Sequence, residues 1–492
     1  MLLDLRQDSP PMDINLKRKA PKANTLEEAN EIIKAQWEVI QKLSEKLKTN
    51  SKNSSLSPSK DRSSKNKSNI KRTEERRKNP KKQGGQPGHQ KHARILLPLD
   101  KVNQVVECCP DKQCSCGGKI LINEKTYRRH QQYEIPVIRP FVTEYKIYDG
   151  TCNQCCKKQQ GTLPHGVSFS MLGPRATAMT ANLSGTYRIS KQNIVNMYRD
   201  IFDFNLSVGM VCKAEKTVSK ALAAPINQAK YFVRSATEMS VNADETGFRE
   251  KGKRMWAWIA ISCLVAVFII RDGRNKKVAQ ALLGKNFKGI LCSDRYTAYQ
   301  WVSYEKRQIC WAHLERDFRK ISERIGSSCV IGTDLLVQKN NLFHFWHQFK
   351  DGHIDRKILQ RKTKPIKVFI EGLLRRGTRS KNKNTARTCL NILSCGSALW
   401  RFLEIDGVEP TNNLAERMIR TIAIWRKTSF GTQSKKGSLY MERIMTVVAT
   451  CKLQKRNILD YLTSVVKSYI EKSAFPSLLP QTNTSLSSAI AA

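Results

Sequence analysis

A continuous apolar stretch in the middle of the chain limits the folds that this sequence can adopt. Residues 255–270, MWAWIAISCLVAVFII, hold almost no polar side chains and lie between Arg254 and Arg271. The stretch is shorter than the roughly 18–20 residues that a membrane-spanning helix needs. It is rich in β-branched and aromatic residues, and Ser262 interrupts it. These features predict two buried strands joined by a tight turn in a soluble protein.

Strand and helix patterns continue around this stretch and predict an α/β fold. Three strands, a helix and a fourth strand would open a mixed sheet, followed by a mainly helical region. The predicted strands are residues 238–243, 255–261, 264–270 and 288–293, with a helix at 276–283, a further strand or helix start at 308–311 and the helical region at 312–405. A chain of 492 residues also predicts two to four domains.

The charge of the chain indicates a polyanionic partner. Lys and Arg number 86 against 42 Asp and Glu, which gives a formal net charge of +44. The basic residues recur through 271–277, 356–387 and 417–456, so the excess is not confined to a tail. Nucleic acid is the partner that such an excess most often neutralises. A basic tail on an otherwise neutral enzyme is the alternative interpretation.

The N-terminal hundred residues divide into three predicted segments. Residues 1–25 are expected to be a disordered leader, 26–49 a coiled-coil-like helix, and 50–100 a flexible basic arm that tracks phosphates or serves only as a linker. The helix could self-associate, or it could pack on its own chain as a lone amphipathic helix. Its heptad seam would comprise Leu26, Ile33, Ile40 and Leu47.

The cysteine content predicts a reducing compartment and one zinc site. The count of 15 is odd, and the N-terminus lacks the pattern of a secretory signal, so we expect a cytoplasmic location with free thiols or metal ligands. Residues 101–165 would form a zinc-ribbon-like module, with unligated thiols as the alternative. The possible zinc ligands are Cys114, Cys116, Cys152 and Cys155, with His130 and His165 as substitutes.

Helical patterns predict a small domain before the sheet and a helix after it. Residues 166–235 would be a helical DNA-binding domain in which Ser190 and Ser207 cap helices. The pattern resembles two helix-turn-helix units, although any small helical domain could produce it. Residues 457–492 would add a C-terminal helix and a disordered tail.

Three carboxylates from distant segments are the candidate catalytic residues. Asp244 and Asp294 are each expected at the end of a strand, and Glu416 lies in a later helix. Such a set could hold two divalent metals for hydrolytic phosphoryl transfer, and a hard cation such as magnesium prefers these ligands. Gly247 is expected to let the chain turn sharply after Asp244.

Each of these carboxylates also has a purely structural interpretation. An aspartate after a strand often forms a turn, and Asp294 could cap a helix that starts at Tyr296. Glu416 stands three residues after Asn413, which is capping-box spacing. The helix pattern favours a functional role for Glu416. An apolar stripe of Leu414, Met418, Ile422 and Trp425 would face the core, and Glu416, Arg420 and Lys427 would point away from it.

These stretches together resemble the insertion-sequence-66 family of bacterial transposases. The matching segments are residues 50–61 (NSKNSSLSPSKD), 84–89 (GGQPGH), 243–247 (ADETG), 293–299 (SDRYTAY), 310–318 (CWAHLERDF) and 412–437. The resemblance implies a ribonuclease H-like DDE catalytic domain at 236–456, with a helical insertion at about 312–405. The first cysteine cluster departs from the tidy CPxCGG arrangement of that family.

The resemblance also implies the site and its chemistry. It assigns the catalytic, metal-binding triad to Asp244, Asp294 and Glu416, with Mg²⁺ or Mn²⁺ as the cofactor, and it marks Cys310 and His313 near the site. The chain would bind the terminal inverted repeats of its element, cleave them and join them to target DNA, as a homo-oligomer on DNA at the bacterial nucleoid. The phosphate-binding side chains would be Arg417, Arg420, Arg426 and Lys427.

Two other functions fit the same residues. A metal-dependent nuclease of the same fold would cleave DNA without strand transfer. A decayed element would bind DNA and catalyse nothing.

Overall fold

The computed structural model describes residues 25–50, 52–54, 96–122, 127–237 and 239–480. Residues 1–24 of the predicted disordered leader, most of the basic arm and the last residues of the predicted tail lie outside these ranges. In the described parts, no helix combines the length and hydrophobicity that crossing a bilayer requires.

The first helix, α1, runs over Leu26–Lys48 and leaves its predicted seam in contact with solvent. Leu26 and Leu47 are each 81% exposed. Near the end of the helix, Glu45 accepts a hydrogen bond from Asn384 Nδ2 at 3.0 Å and lies 3.4 Å from Arg324 Nε. One end of α1 therefore contacts its own chain, and the coiled coil stays a prediction.

A small ribbon and four helices precede the main sheet. Strand β1 (Asp149–Thr151) pairs antiparallel with β2 (Lys158–Gln160). The helices are α2 (Pro174–Gly185), α3 (Lys191–Phe202), α4 (Val208–Ala221) and α5 (Ala223–Arg234). The predicted caps are confirmed, since Ser190 Oγ and Ser207 Oγ each accept a hydrogen bond at 3.2 Å from the backbone N–H three residues later.

The main sheet is mixed and has five strands. Its spatial order is β5–β4–β3–β6–β7, with antiparallel pairing from β5 to β3 and parallel pairing from β3 to β7. The elements are β3 (Ser240–Glu250), β4 (Lys253–Ile261), β5 (Ala266–Arg271), α6 (Lys276–Leu283), β6 (Ile290–Ser293) and β7 (Arg307–Ile309). The apolar stretch forms β4 and β5, which confirms that prediction.

Strand β3 is longer than the sequence pattern predicts. It continues to Glu250 because β4 pairs with it as far as Glu250 opposite Lys253, although its parallel pairing with β6 reaches only Asn242. Asp244 therefore lies inside the strand, at the point where β6 stops covering one edge. The prediction that Asp244 ends its strand is wrong.

Gly247 does not form the turn that follows Asp244. It lies within β3 opposite Trp256, and the chain reverses at Lys251 and Gly252, whose φ angles are 49° and 75°. A Cβ at Gly247 would stand 3.1 Å from Arg426 Nη1. The glycine thus makes room for an arginine, and the prediction of a sharp turn there is wrong.

The chain between β7 and the glutamate-bearing helix forms a separate helical layer. Its helices are α7 (Trp311–Ser322), α8 (Ser327–Lys350), α9 (Arg356–Thr378), α10 (Lys383–Leu393) and the short α11 (Arg401–Glu404). They enclose a second hydrophobic core, which also includes Ile290 of β6 and Ile309 of β7 and is distinct from the core around the rest of the sheet. Predicted domain boundaries in this region stay predictions.

Three final helices follow; the first two pack on the sheet, one of them along its edge, and the last packs on α2 and α4. They are α12 (Asn413–Ser429), α13 (Lys435–Leu453) and α14 (Ile458–Glu471). Side chains of α13 accept hydrogen bonds from the outer strand β5, at 2.9 Å for Glu442 and Thr446 and 3.1 Å for Thr450. The helix therefore satisfies edge N–H groups that could otherwise pair with another chain.

Candidate functional site

The register of the sheet brings Asp244 and Asp294 to neighbouring positions. In the parallel β3–β6 pair, Asn242 lies opposite Cys292, and each aspartate follows two residues later. Neighbouring strands lie about 4.8 Å apart, and side chains two residues apart share a face. Both aspartates therefore project from the same face near the centre of the sheet.

Each aspartate also makes one local hydrogen bond. Asp244 Oδ1 accepts from the Glu245 N–H at 2.9 Å, and Asp294 Oδ1 accepts from the Tyr296 N–H at 2.9 Å. The second contact is the turn-forming bond expected of an aspartate after a strand. It uses one oxygen of Asp294 and leaves the other for a different role.

Negative charge is concentrated around Asp244. Burial raises the pKa of the Asp244 carboxyl well above its usual value, and the nearby carboxylates of Glu245, Asp294 and Glu416 raise it further. The hydrogen bond from Glu245 opposes this shift. A divalent cation among these groups would remove the repulsion.

This charge concentration predicts an effect of Asp244→Asn on stability. A raised pKa means that the folded state binds the proton more tightly than the unfolded state does. The free energy of unfolding therefore falls as pH rises from about 4 through the raised pKa. At pH 7.5, we expect metal-free Asp244→Asn to melt a few degrees above the wild type.

Thermal melts of both proteins with and without Mn²⁺ would test this expectation. The control is Asp351→Asn, the same change at an exposed residue after α8. Mn²⁺ should stabilise the wild type and Asp351→Asn but not Asp244→Asn. Equal metal-free melting temperatures for the two variants would contradict the prediction.

Glu416 reaches the site from the first turn of α12. Its Oε1 lies 3.6 Å from His313 Nδ1, and its Oε2 lies 3.6 Å from Arg316 Nη2, both on α7. The residue that precedes the helix is Asn412, and its side chain makes no capping bond. The capping-box interpretation of Glu416 is therefore wrong, because the carboxylate faces another helix.

Two buried polar atoms, one of Glu416 and one of His313, are suited to bind a cation. Within the described ranges, His313 Nδ1 and Glu416 Oε1 are both buried and neither has a hydrogen-bond partner. Burial and the adjacent Arg316 lower the pKa of His313, so the imidazole is neutral near pH 7. A neutral imidazole nitrogen and a carboxylate oxygen that face each other are suited to share a metal ion.

Cys310 completes this group in space but is a poor ligand. Its sulfur lies within 4.8 Å of the ligand atoms of His313 and Glu416. Burial raises the pKa of Cys310 to about 11. The sulfur also accepts a hydrogen bond from the Asn412 N–H at 3.1 Å. A protonated thiol in such a contact does not compete with carboxylates for a hard cation.

Glu245 has a structural role that its sequence position does not reveal. Its Oε1 accepts hydrogen bonds from Arg274 Nε at 2.9 Å and Nη2 at 2.6 Å, and its Oε2 accepts from Tyr299 O–H at 2.6 Å. Burial and Asp294 raise the pKa of Glu245, whereas Tyr299 and Arg274 lower it. Both oxygens of Glu245 are thus engaged in anchoring the loops beside the site. Asp244 is the carboxylate of this pair that is available to bind a metal ion.

A second residue near Asp294 was not predicted. Arg307 is 1% exposed, and its Nη2 donates to Ser293 Oγ at 3.2 Å and to the Asp294 carbonyl oxygen at 3.0 Å. Burial lowers the pKa of this arginine. Arg307 therefore holds the backbone at Asp294 in place through these two hydrogen bonds. Only the fold reveals that role.

The proposed phosphate-binding side chains differ in their accessibility. Arg417, Arg420 and Lys427 are exposed on α12. Arg426 is half-buried, and its Nη1 donates to the Gly247 carbonyl oxygen. Three of these groups are therefore open to a ligand, and the fourth is bound to β3.

The apolar stripe of α12 packs as its pattern predicts. Ile422 is buried, and the other three members pack partly buried against the main core.

The cysteines of the predicted zinc module form two separate turns. The Gly117 N–H donates to the Cys114 carbonyl oxygen at 2.8 Å, and the Cys156 N–H donates to that of Cys152 at 2.9 Å. Hydrogen bonds from Cys116 lower the pKa of Cys114, and hydrogen bonds from Cys155 and Gln154 lower that of Cys152. In the parts of the chain described, no three of these sulfurs lie within 4.8 Å of one another. Zinc binding stays a prediction.

Comparison with known proteins shows the family of the chain. The family model described as "Transposase IS66 family" matches residues 170–439, more than half of the 492 residues. The chain belongs to the IS66 transposase family. The matched range includes all three candidate carboxylates, helices α7 and α12 and the whole main sheet, which agrees with the family expected from the sequence motifs.

Two further similarities accompany this match. Residues 18–95 match a family of unknown function (DUF6444). An uncharacterized protein of Sinorhizobium fredii strain NGR234, y4qI, is 30% identical over 217 residues, which cover 41% of this IS66-family chain and 40% of that protein. The chain therefore spans less than half of the length of that relative.

Proposed function

We propose that this IS66-family chain binds the terminal inverted repeats of its insertion sequence and catalyses metal-dependent DNA cleavage and strand transfer. The observation that carries the proposal is the electrostatic proximity of Asp244 to Asp294 and Glu416, which come from strand β3, the end of β6 and helix α12. Beside them lie two buried polar atoms without a hydrogen-bond partner, His313 Nδ1 and Glu416 Oε1. Carboxylates gathered in this way are the ligands that phosphoryl-transfer sites use.

The core of the catalytic domain would be ribonuclease H-like. Support comes from a mixed sheet whose central strand, β3, bears one aspartate and whose parallel neighbour, β6, leads into the second. The glutamate follows on a helix that packs across β3 and β4, after a helical insertion.

Divalent metal, Mg²⁺ or Mn²⁺, would be held by Asp244, Asp294 and Glu416, and would supply charge neutralisation and an activated oxygen nucleophile. In the first step, water attacks a phosphorus at the element end and the bond to the 3′ oxygen breaks, which releases a 3′-hydroxyl. In the second step, that hydroxyl attacks a target phosphodiester and a target 3′ oxygen leaves.

The residues of the chain would orient these reactants. Arg316 of α7 forms an ion pair with the Glu416 carboxylate, the neutral His313 would share a metal ion with it, and Arg307 supports the backbone at Asp294. Exposed Arg417, Arg420 and Lys427 would bind DNA phosphates and stabilise charge that develops on them. Arg426 would act less directly, since it already bonds to Gly247.

The remaining partners are part of the same proposal. Helices α2–α5 would bind the terminal repeats, the cysteine module would hold structural zinc, and α1 would pair two copies of the chain on DNA. The net charge of +44 supports the DNA partner in general. These assignments extend the family-level function to particular segments.

The decisive experiment incubates the purified full chain with Mg²⁺, a labelled duplex carrying the terminal repeats of the element, and a target plasmid. Cleavage at the repeat boundary with joined products supports transposition. Cleavage without joining would indicate a nuclease, and repeat binding without either reaction would indicate a DNA-binding relic.

We expect Arg420, one of two exposed arginines on α12, to contribute to DNA affinity through phosphates. Arg420→Gln should weaken binding of the terminal-repeat duplex and reduce the slope of log K against log salt by about 1, because one phosphate contact releases about one counterion. Arg387→Gln, an equal charge change on α10, is the control. Fluorescence anisotropy between 50 and 200 mM salt measures both slopes, and equal slopes would contradict the assignment.

A further inference from the structure

A buried asparagine, Asn412, ties the start of α12 to the central strand. It is 1% exposed and immediately precedes the helix. Asparagine in this position usually accepts a hydrogen bond from the first helical turn. Here its side chain makes no capping bond, and its Nδ2 donates to the Ala243 carbonyl oxygen at 2.8 Å. Ala243 is the residue before Asp244, so the side chain fixes that aspartate relative to α12.

The main chain of Asn412 makes two more connections. Its carbonyl oxygen accepts from the Glu416 N–H at 3.1 Å, and its own N–H donates to Cys310 Sγ at 3.1 Å. Cys310 is fully buried, and its N–H donates to the Ser293 carbonyl oxygen at 2.9 Å. Ser293 is the residue before Asp294. A chain of four hydrogen bonds thus joins the segments that carry all three carboxylates.

We propose that Asn412 and Cys310 are positioning residues that set the separations of Asp244, Asp294 and Glu416. The inference rests on the proposed function, since it concerns the same metal-binding carboxylates. Productive ligand geometry must be held to within about 0.5 Å. A misplacement of 1 Å can reduce the rate by about 10²-fold. Neither residue need touch DNA or metal to have this effect.

The contacts are directional, which separates positioning from simple space filling. The contact with the Ala243 carbonyl oxygen requires a hydrogen-bond donor at the Nδ2 position of residue 412. The contact with the Asn412 N–H requires an acceptor at the Sγ position of residue 310. Asn412→Asp keeps the shape but replaces the Nδ2 donor with an oxygen facing the Ala243 carbonyl. Cys310→Ala removes the sulfur acceptor, whereas Cys310→Ser supplies a hydroxyl oxygen in its place.

The test measures Mn²⁺ binding to the full chain by electron paramagnetic resonance, alongside cleavage of the terminal-repeat duplex. For Asn412→Asp and Cys310→Ala, we expect half-saturating Mn²⁺ to rise about tenfold or more, since groups that orient metal ligands typically contribute 10–100-fold. Turnover at saturating DNA should fall by a similar factor, with the KM for DNA unchanged. Cys310→Ser should recover most of both losses.

The control is Asn413→Asp, the same chemical change one residue later at an exposed position. The inference would be overturned if Asn412→Asp and Cys310→Ala bound Mn²⁺ as tightly and turned over as fast as this control. Melting temperatures identify a variant that fails to fold. If Asn412→Asp fails to fold, the comparison of Cys310→Ala with Cys310→Ser decides the result.

The wild-type protein separates this inference from the proposed function. If it binds Mn²⁺ in an Asp244-dependent way but neither cleaves nor joins repeats, the proposed function fails, and a weaker Mn²⁺ affinity in the variants still supports positioning. If it binds no Mn²⁺, both proposals are overturned.

Discussion

Asp294→Asn is expected to abolish cleavage and joining while DNA binding persists. The substitution keeps the side-chain shape and the oxygen that accepts from the Tyr296 N–H. It removes the negative charge that a divalent metal requires. Metal stabilisation of the transition state contributes several kcal/mol, and each 1.36 kcal/mol is a factor of ten in rate. We therefore expect a loss of about 10³-fold or more, and the same for Asp244→Asn and Glu416→Gln.

A single-turnover assay on labelled repeats measures the rates, and a gel shift in Ca²⁺ measures binding. Asp351→Asn is the matched control, since it removes one carboxylate far along the chain from the site. Retention of more than about a tenth of wild-type cleavage by any of the three variants would remove that residue from the catalytic set.

Local signals in the sequence were sufficient for many elements of the fold. The helix over Lys276–Leu283 has the predicted limits, and the two serine caps form as predicted. The apolar stretch around Ser262 forms two buried strands because its β-branched and aromatic residues suit a covered sheet. In each case neighbouring residues hold the deciding information.

Features that depend on distant partners were not predictable in the same way. The extra length of β3 results from its pairing with β4, where residues such as Lys253 and Arg254 lack a clear strand pattern. The role of Gly247 depends on Arg426, which is 179 residues away in the sequence. A glycine beside an aspartate indicates a turn more readily than space for a distant guanidinium.

The candidate site shows the same division. Residue types alone identify Asp244, Asp294 and Glu416 as possible metal ligands. They do not distinguish Asp244 from Glu245, because the difference comes from strand alternation and from Arg274 and Tyr299 on other segments. Asn412 also escapes notice, since its side chain contacts a strand 169 residues earlier.

The second large effect is expected from Trp311, which joins the helical layer to the site. Its indole is 1% exposed and packs 5.2 Å from the ring of Trp400, and its Nε1 donates to the Leu399 carbonyl oxygen at 2.8 Å. Truncation of a buried tryptophan to alanine costs about 3–5 kcal/mol. In a unit of this size, Trp311→Ala should lower the melting temperature by on the order of 10 °C.

Activity should fall together with stability, because Trp311 is the first residue of α7 and its N–H donates to the Pro410 carbonyl oxygen at 2.9 Å. The same helix presents His313 and Arg316 to Glu416, so a looser α7 disturbs the carboxylate. Trp37→Ala, at a 55% exposed position on α1, is the control and should change the free energy of unfolding by less than about 0.5 kcal/mol. Thermal melts and cleavage rates at 20 °C, where both variants remain folded, measure the two effects separately. A Trp311→Ala protein that melts as Trp37→Ala does would show that the helical layer is not anchored through this residue.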